Sequence, residues 1–174
     1  MLPGKGALLV LLLVSDGAVA AQDVSQPNLK AAFLYNFAKF AEWPADASAG
    51  GPLTLCVVHD GASEDALVKL VNGASINGRA VTVSKGAPKA KIRACHVLYV
   101  ADVDPDTLVA ILEEVKGAAV LTVGDGDAFP RRGGIVGLTV EEGRMRFAIN
   151  PDAAQRSGVR LSSKLLSLAR LVRD

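Results

Sequence analysis

Three short apolar runs, Leu53–Val58, His96–Val100 and Ala119–Val123, constrain this chain more than any other feature. A strand with one wet face alternates apolar and polar residues, whereas a strand buried on both faces is apolar throughout. These runs do not alternate, so the sheet they form must be covered on both sides. The segments between them read as helices. Ser25 to Trp43 carries Leu29, Phe33, Phe37 and Phe40 at helical spacing and is stopped by Pro44. Ala45 to Pro52 is a loop. Ser63 is suited to cap a helix from Glu64 to about Val71, and Asp104-Pro105-Asp106 to start one that runs to about Lys116. Ile76-Asn-Gly78 is a turn into an alternating strand, Arg79–Ser84, followed by a basic loop with Lys85, Lys89, Lys91 and Arg93. After the loop Gly124–Asp127, Ile135–Val140 and Arg144–Ile149 flank Glu141-Glu142-Gly143 as a hairpin. Asn150-Pro151-Asp152 starts a short helix ending at Gly158, and Ser162 caps a last one with Leu165, Leu168, Ala169 and Val172 on one side. The expected fold is an α/β three-layer sandwich, its sheet largely parallel with an antiparallel C-terminal hairpin.

The N-terminus follows other rules. Lys5 precedes an unbroken apolar run from Ala7 to Val14, and Ala18-Val19-Ala20 fits the small-residue cleavage pattern. The run is too short to span a bilayer, which takes about 20 apolar residues. Residues 1–20 are therefore expected to be a signal peptide cut after Ala20, and 21–174 a single domain of the periplasm with no direct membrane insertion. Of the 174 residues 19 are basic and 18 acidic, a net charge of +1 that gives no footprint for nucleic acid. Cys56 and Cys95 are the two cysteines. Outside the cytosol they pair if their strands are neighbours; otherwise they are buried thiols acting as small hydrophobes.

At the carboxyl ends of the strands, where ligands sit in open parallel sheets, the sequence places His59, Asp60, Asp102, Asp104, Asp125 and Asp127. Aspartate and glycine after strands are ordinary turn chemistry, and no metal site is assigned to them. His96, inside an apolar strand, reads as a hydrogen-bonded structural histidine. No nucleophile elbow, Walker loop or Gly-x-Gly-x-x-Gly motif is present, and Gly124-Asp125-Gly126 lacks the amphipathic helix a phosphate loop needs. No cofactor and no catalytic residue are assigned. Arg160, Ser162 and Ser163 at the start of the last helix form a candidate anion- or partner-binding turn. Because the stripe Phe33, Phe37 and Phe40 is expected to face the core, the partner surface is placed at that turn.

Two segments together resemble the YfiR-like periplasmic family: Leu29-Lys-Ala-Ala-Phe-Leu-Tyr-Asn-Phe-Ala-Lys-Phe-Ala-Glu-Trp-Pro44, and Gly134-Ile-Val-Gly-Leu-Thr-Val-Glu-Glu-Gly-Arg-Met-Arg-Phe-Ala-Ile-Asn150, which continues into Gly158–Leu166. The resemblance implies an exported α/β sandwich without catalytic activity, a homodimer, and a Cys56–Cys95 disulfide. It also implies a role, since the family's best-known member inhibits an inner-membrane diguanylate cyclase through that enzyme's periplasmic sensor region, restraining cyclic di-GMP and biofilm formation. Some relatives carry a second cysteine pair near Gly133-Gly134, where this chain has none. The other function class is a periplasmic small-molecule-binding module with a different output.

Overall fold

The computed structural model describes residues 25–48, 50–86 and 89–173. The signal segment 1–20 lies outside the described residues. The chain forms α1 (Gln26–Lys39), β1 (Ala41–Glu42), α2 (Ala45–Ser48), β2 (Leu53–Val58), α3 (Gly61–Val71), β3 (Ser75–Ile76) and β4 (Arg79–Ser84). A 3-10 turn (Lys89–Ala94), β5 (Val97–Val100), α4 (Pro105–Glu114), β6 (Leu121–Asp125), α5 (Ala128–Arg131), β7 (Val136–Glu141) and β8 (Arg144–Ile149) follow. The chain closes with α6 (Pro151–Ser157), β9 (Arg160–Leu161), α7 (Ser163–Leu168) and β10 (Arg170–Leu171).

The eight-stranded sheet has the order β10-β8-β7-β6-β5-β2-β4-β3. Strands β4, β2, β5, β6 and β7 are parallel, β7 and β8 form an antiparallel hairpin, and β3 pairs antiparallel with β4. Side chains alternate strictly across it. Leu55, Val57, Val97, Tyr99, Leu121 and Val123 enter one buried cluster with α1 and α3, whereas Cys56, Leu98 and Val100 enter a second with α4. Two cores on opposite faces of one sheet make the three-layer α/β sandwich.

Several elements differ from the sequence reading. The first helix ends at Lys39, well before Pro44, because residues 41–42 pair antiparallel with 160–161. Its buried face is Ala31, Leu34, Phe37 and Ala38, so small residues set the close packing, while Phe33 and Phe40 are only half-buried. The segment after Trp43 contains one turn of helix, α2, rather than loop alone. Asp60, not Ser63, caps α3: its carboxylate accepts the Ser63 N–H at 2.9 Å, and Ser63 itself is fully buried. The last helix stops at Leu168, and Arg170–Leu171 joins β8 in parallel, so the hairpin is not the outermost pair of the sheet.

The glycines after β6 serve packing. The loop expected at 124–127 becomes the end of β6 and the approach to α5, whose Phe129 ring fills the space a Cβ would need on Gly124 and Gly134. A Cβ on Gly137 would likewise overlap the Gly126 carbonyl oxygen and the Pro130 ring. Backbone cannot swing aside as a side chain can, so Gly137→Ala is expected to destabilise the fold by about 1–3 kcal/mol. Chemical denaturation followed by circular dichroism measures this, and an unchanged midpoint would show that α5 lifts off without cost.

Candidate functional site

At the carboxyl ends of β2, β5 and β6, Lys30 on the first turns of α1 bridges two carboxylates. Its Nζ lies 3.0 Å from Asp125 Oδ2 and 3.4 Å from Asp60 Oδ2, and 5.3 Å from the centre of the Tyr99 ring. Tyr99, fully buried, donates its hydroxyl to Asp125 Oδ1 at 2.8 Å. Burial first, and then the Asp125 carboxylate, push the phenol far above its ordinary range, so it stays protonated. Burial alone would raise the Asp60 carboxyl. The hydrogen bonds from Ser63 and the charge of Lys30 outweigh it and hold that carboxyl below the usual range. An ammonium thus occupies the space between two of the acids singled out in the sequence. Asp104 is used otherwise: it caps α4 through the Thr107 N–H at 2.9 Å. Asp127 pairs with Arg170, and His59 and Asp102 sit at positive φ of 63° and 49°. Among the described residues no three His, Cys, Asp or Glu side chains come together as a metal site would require.

His96 immediately precedes β5, at the opposite end of the sheet. Its Nδ1 accepts the Thr54 N–H at 3.1 Å, so the proton resides on Nε2, which faces the Ala47 carbonyl at 3.1 Å. Trp43 packs edge-on against the ring at 5.4 Å. Burial, together with the Arg79 guanidinium 3.2 Å away, lowers the imidazole pKa against the raising effect of Ala47. A group whose folded value is depressed gives stability that is present above its unfolded value, about 6.5, and lost as pH falls below it. Urea midpoints are expected to drop from pH 7 to 5.5 with a slope of at most about 1.4 kcal/mol per pH unit from this residue. His96→Gln should remove that part of the slope, and an identical slope in the variant would show that other groups titrate.

Cys56 and Cys95 are joined in a disulfide, with Cα atoms 6.0 Å apart and both residues buried in the α4-side core. The bridge fastens β2 to the turn that feeds β5. Of the two states the sequence left open, a bridge or two buried thiols, the structure has the bridge.

The other feature is a groove on the α1 face. Phe33, Phe37, Phe40, Phe147, Leu165 and Leu168 line a cavity of about 250 Å3 between α1, β8 and α7. The aromatic rings stack edge-to-face, with Phe33–Phe37 centroids at 5.9 Å and Phe37–Phe147 at 5.3 Å. Leu168 is 69% exposed, and Lys164 extends over the Phe40 ring at 5.4 Å. Of the stripe expected to face the core, Phe37 is fully buried, while Phe33 and Phe40 pack against the same core half-buried, at the edge of the face formed by Ala31, Leu34, Phe37 and Ala38.

The turn bearing Arg160, Ser162 and Ser163 adjoins this groove. The Ser162 N–H donates to the Phe40 carbonyl at 2.9 Å, and its hydroxyl accepts the Leu165 N–H at 3.2 Å as the cap of α7. Arg160 is 84% exposed and lies 3.8 Å from Glu42, while Ser163 opens α7 at the surface. What the sequence missed was not the turn but the half-covered aromatic stripe beside it. The spacing of Leu29 and Phe33 off the Ala31-Leu34-Ala38 line was the available signal.

The doubly covered parallel sheet with its C-terminal hairpin places the protein in a class it shares with a crystallised conserved domain protein of Vibrio cholerae. The two align with a TM-score of 0.52 at 14% identity, over 86% of this chain and 60% of that one. The chain thus spans 60% of that protein's length. Residues 27–170 match the YfiR/HmsC-like family, and the chain belongs to it.

Proposed function

We propose that this protein is exported, with a mature N-terminus near Ala21, and that it binds the periplasmic sensor region of an inner-membrane diguanylate cyclase and holds the enzyme inactive. The groove between α1 and α7 is the contact surface. What carries this reading is an apolar cavity at the surface whose lining includes the exposed Leu168 and the cation Lys164. An uncovered apolar patch with a polar rim is what a docking surface presents to a partner. The matching partner segment bears aromatic or aliphatic side chains flanked by acids.

The test is Leu168→Glu, which touches an exposed side chain and so leaves circular dichroism and the melting curve unchanged. Pull-down with the cyclase's periplasmic region should weaken by about tenfold or more, the loss typical of a central apolar contact, and cellular cyclic di-GMP should rise. Arg160→Glu, at the groove's end, should weaken binding less. If both folded variants bind and repress like the parent, neither the groove nor the turn is the site. Homodimerisation belongs to the same proposal, and light scattering of the mature protein at several concentrations checks it.

A further inference from the structure

Strand β6 begins earlier than its neighbour. Val123 pairs with Val136, the first residue of β7, so Leu121 and Thr122 have no partner on that side. The Thr122 hydroxyl fills in for the missing ladder by accepting the Ile135 N–H at 3.0 Å. Beside it a cavity of about 290 Å3 opens between the end of α4, the 132–135 segment and α6. Val115, Val120, Ile135 and Ala153 give it an aliphatic lining, each no more than 7% exposed. No aromatic side chain lines it.

The mouth is basic. Lys116, Arg132 and Arg156 line it against one acid, Glu113, whose carboxylate is taken up by Lys116 at 3.2 Å. Among the described residues the Arg132 guanidinium makes no ion pair or hydrogen bond with another side chain. The Thr122 hydroxyl proton has no acceptor there either, although the residue is 4% exposed. An apolar pocket with a few convergent polar groups is the usual form of a small-molecule site. Here Arg132 offers the mouth an unpaired guanidinium for an anion, and the aliphatic lining suits a short alkyl body.

We infer that this cavity is a binding site for a small aliphatic carboxylate. The carboxylate meets Arg132 at the mouth, and the alkyl chain lies against Val115, Val120 and Ile135. The site is separate from the groove, with which it shares no lining residue.

Titration of the isotope-labelled protein with hexanoate, followed by amide chemical shifts, tests this. Saturable shifts are expected at residues 115–117, 132–135 and 153–157. Hexan-1-ol, which has the same chain without the charge, should bind about tenfold more weakly or worse, and so should hexanoate to Arg132→Glu. Arg132 is exposed, so that variant should fold, and Leu168→Glu should bind hexanoate as the parent does. Shifts that do not saturate, that hexan-1-ol reproduces, that survive in Arg132→Glu, or that map to the groove would each overturn the assignment.

Discussion

Replacing both Cys56 and Cys95 by alanine is expected to cost about 4 kcal/mol of stability, because their bond closes a loop with a sequence separation of 39. The closed loop contains the end of β2, α3, β3, β4 and the 3-10 turn before Cys95. For a domain of this size that loss corresponds to a melting temperature lower by about 8–16 °C. Reduction of the parent should reproduce the effect, since alanine and thiol both leave the loop open. Urea titrations of the oxidised protein, the reduced protein and the double variant measure it. Coincident curves for oxidised and reduced protein would mean that the bond contributes nothing beyond the packing of two buried sulfurs. The two cysteines lie in the core behind the sheet, away from the groove, so the variant should still bind the partner at temperatures where it is folded.

The strands were legible because each of them repeats one signal over several residues. Leu53–Val58 and the hairpin flanks Val136–Glu141 and Arg144–Ile149 agree with the reading to within a residue, and the turns at Asn77-Gly78 and Glu142-Gly143 take the positive φ their sequences demand. What the sequence hid consists of two-residue pairings. Ala41–Glu42 with Arg160–Leu161, and Arg170–Leu171 on β8, carry no periodicity of their own and exist only because distant segments are brought side by side. The same holds for the charge network. Lys30 reads as an off-face residue of an amphipathic helix, and Asp60 and Asp125 as turn residues; nothing local shows that α1 lays the one across the other two. The groove was obscured by a rule that is usually sound, that aromatic stripes face inward. On α1 the inner face is shared by Ala31, Leu34, Phe37 and Ala38, which leaves Phe33 and Phe40 half-covered at its edge.

Lys30→Met is the second change with a large expected effect. Methionine keeps most of the lysine stem and its packing over Tyr99 but removes the ammonium that two carboxylates share. Breaking a fully buried ion pair costs about 3–5 kcal/mol, since the remaining charge is left without compensation. Here the Lys30 and Asp60 side chains are 15% and 16% exposed but Asp125 is 42% exposed, so water screens part of the loss. About 2–3 kcal/mol is expected. The change should also alter the acid response. In the parent, Asp60 is held below its unfolded value, near 3.8, so its contribution is present above that pH and is lost as pH falls below it. Without Lys30, burial is opposed by Ser63 alone. The Asp60 pKa rises, and the contribution shrinks or reverses. Asp125→Asn placed on Lys30→Met removes one of the two stranded carboxylates while leaving an amide oxygen to accept from Tyr99. The double variant should therefore be less destabilised than the sum of the single ones, with a coupling of about 1 kcal/mol or more. Strict additivity in that cycle, measured by urea denaturation at pH 7, would show that Lys30 and Asp125 do not interact in solution and that the bridge is not what holds α1 to the carboxyl end of the sheet.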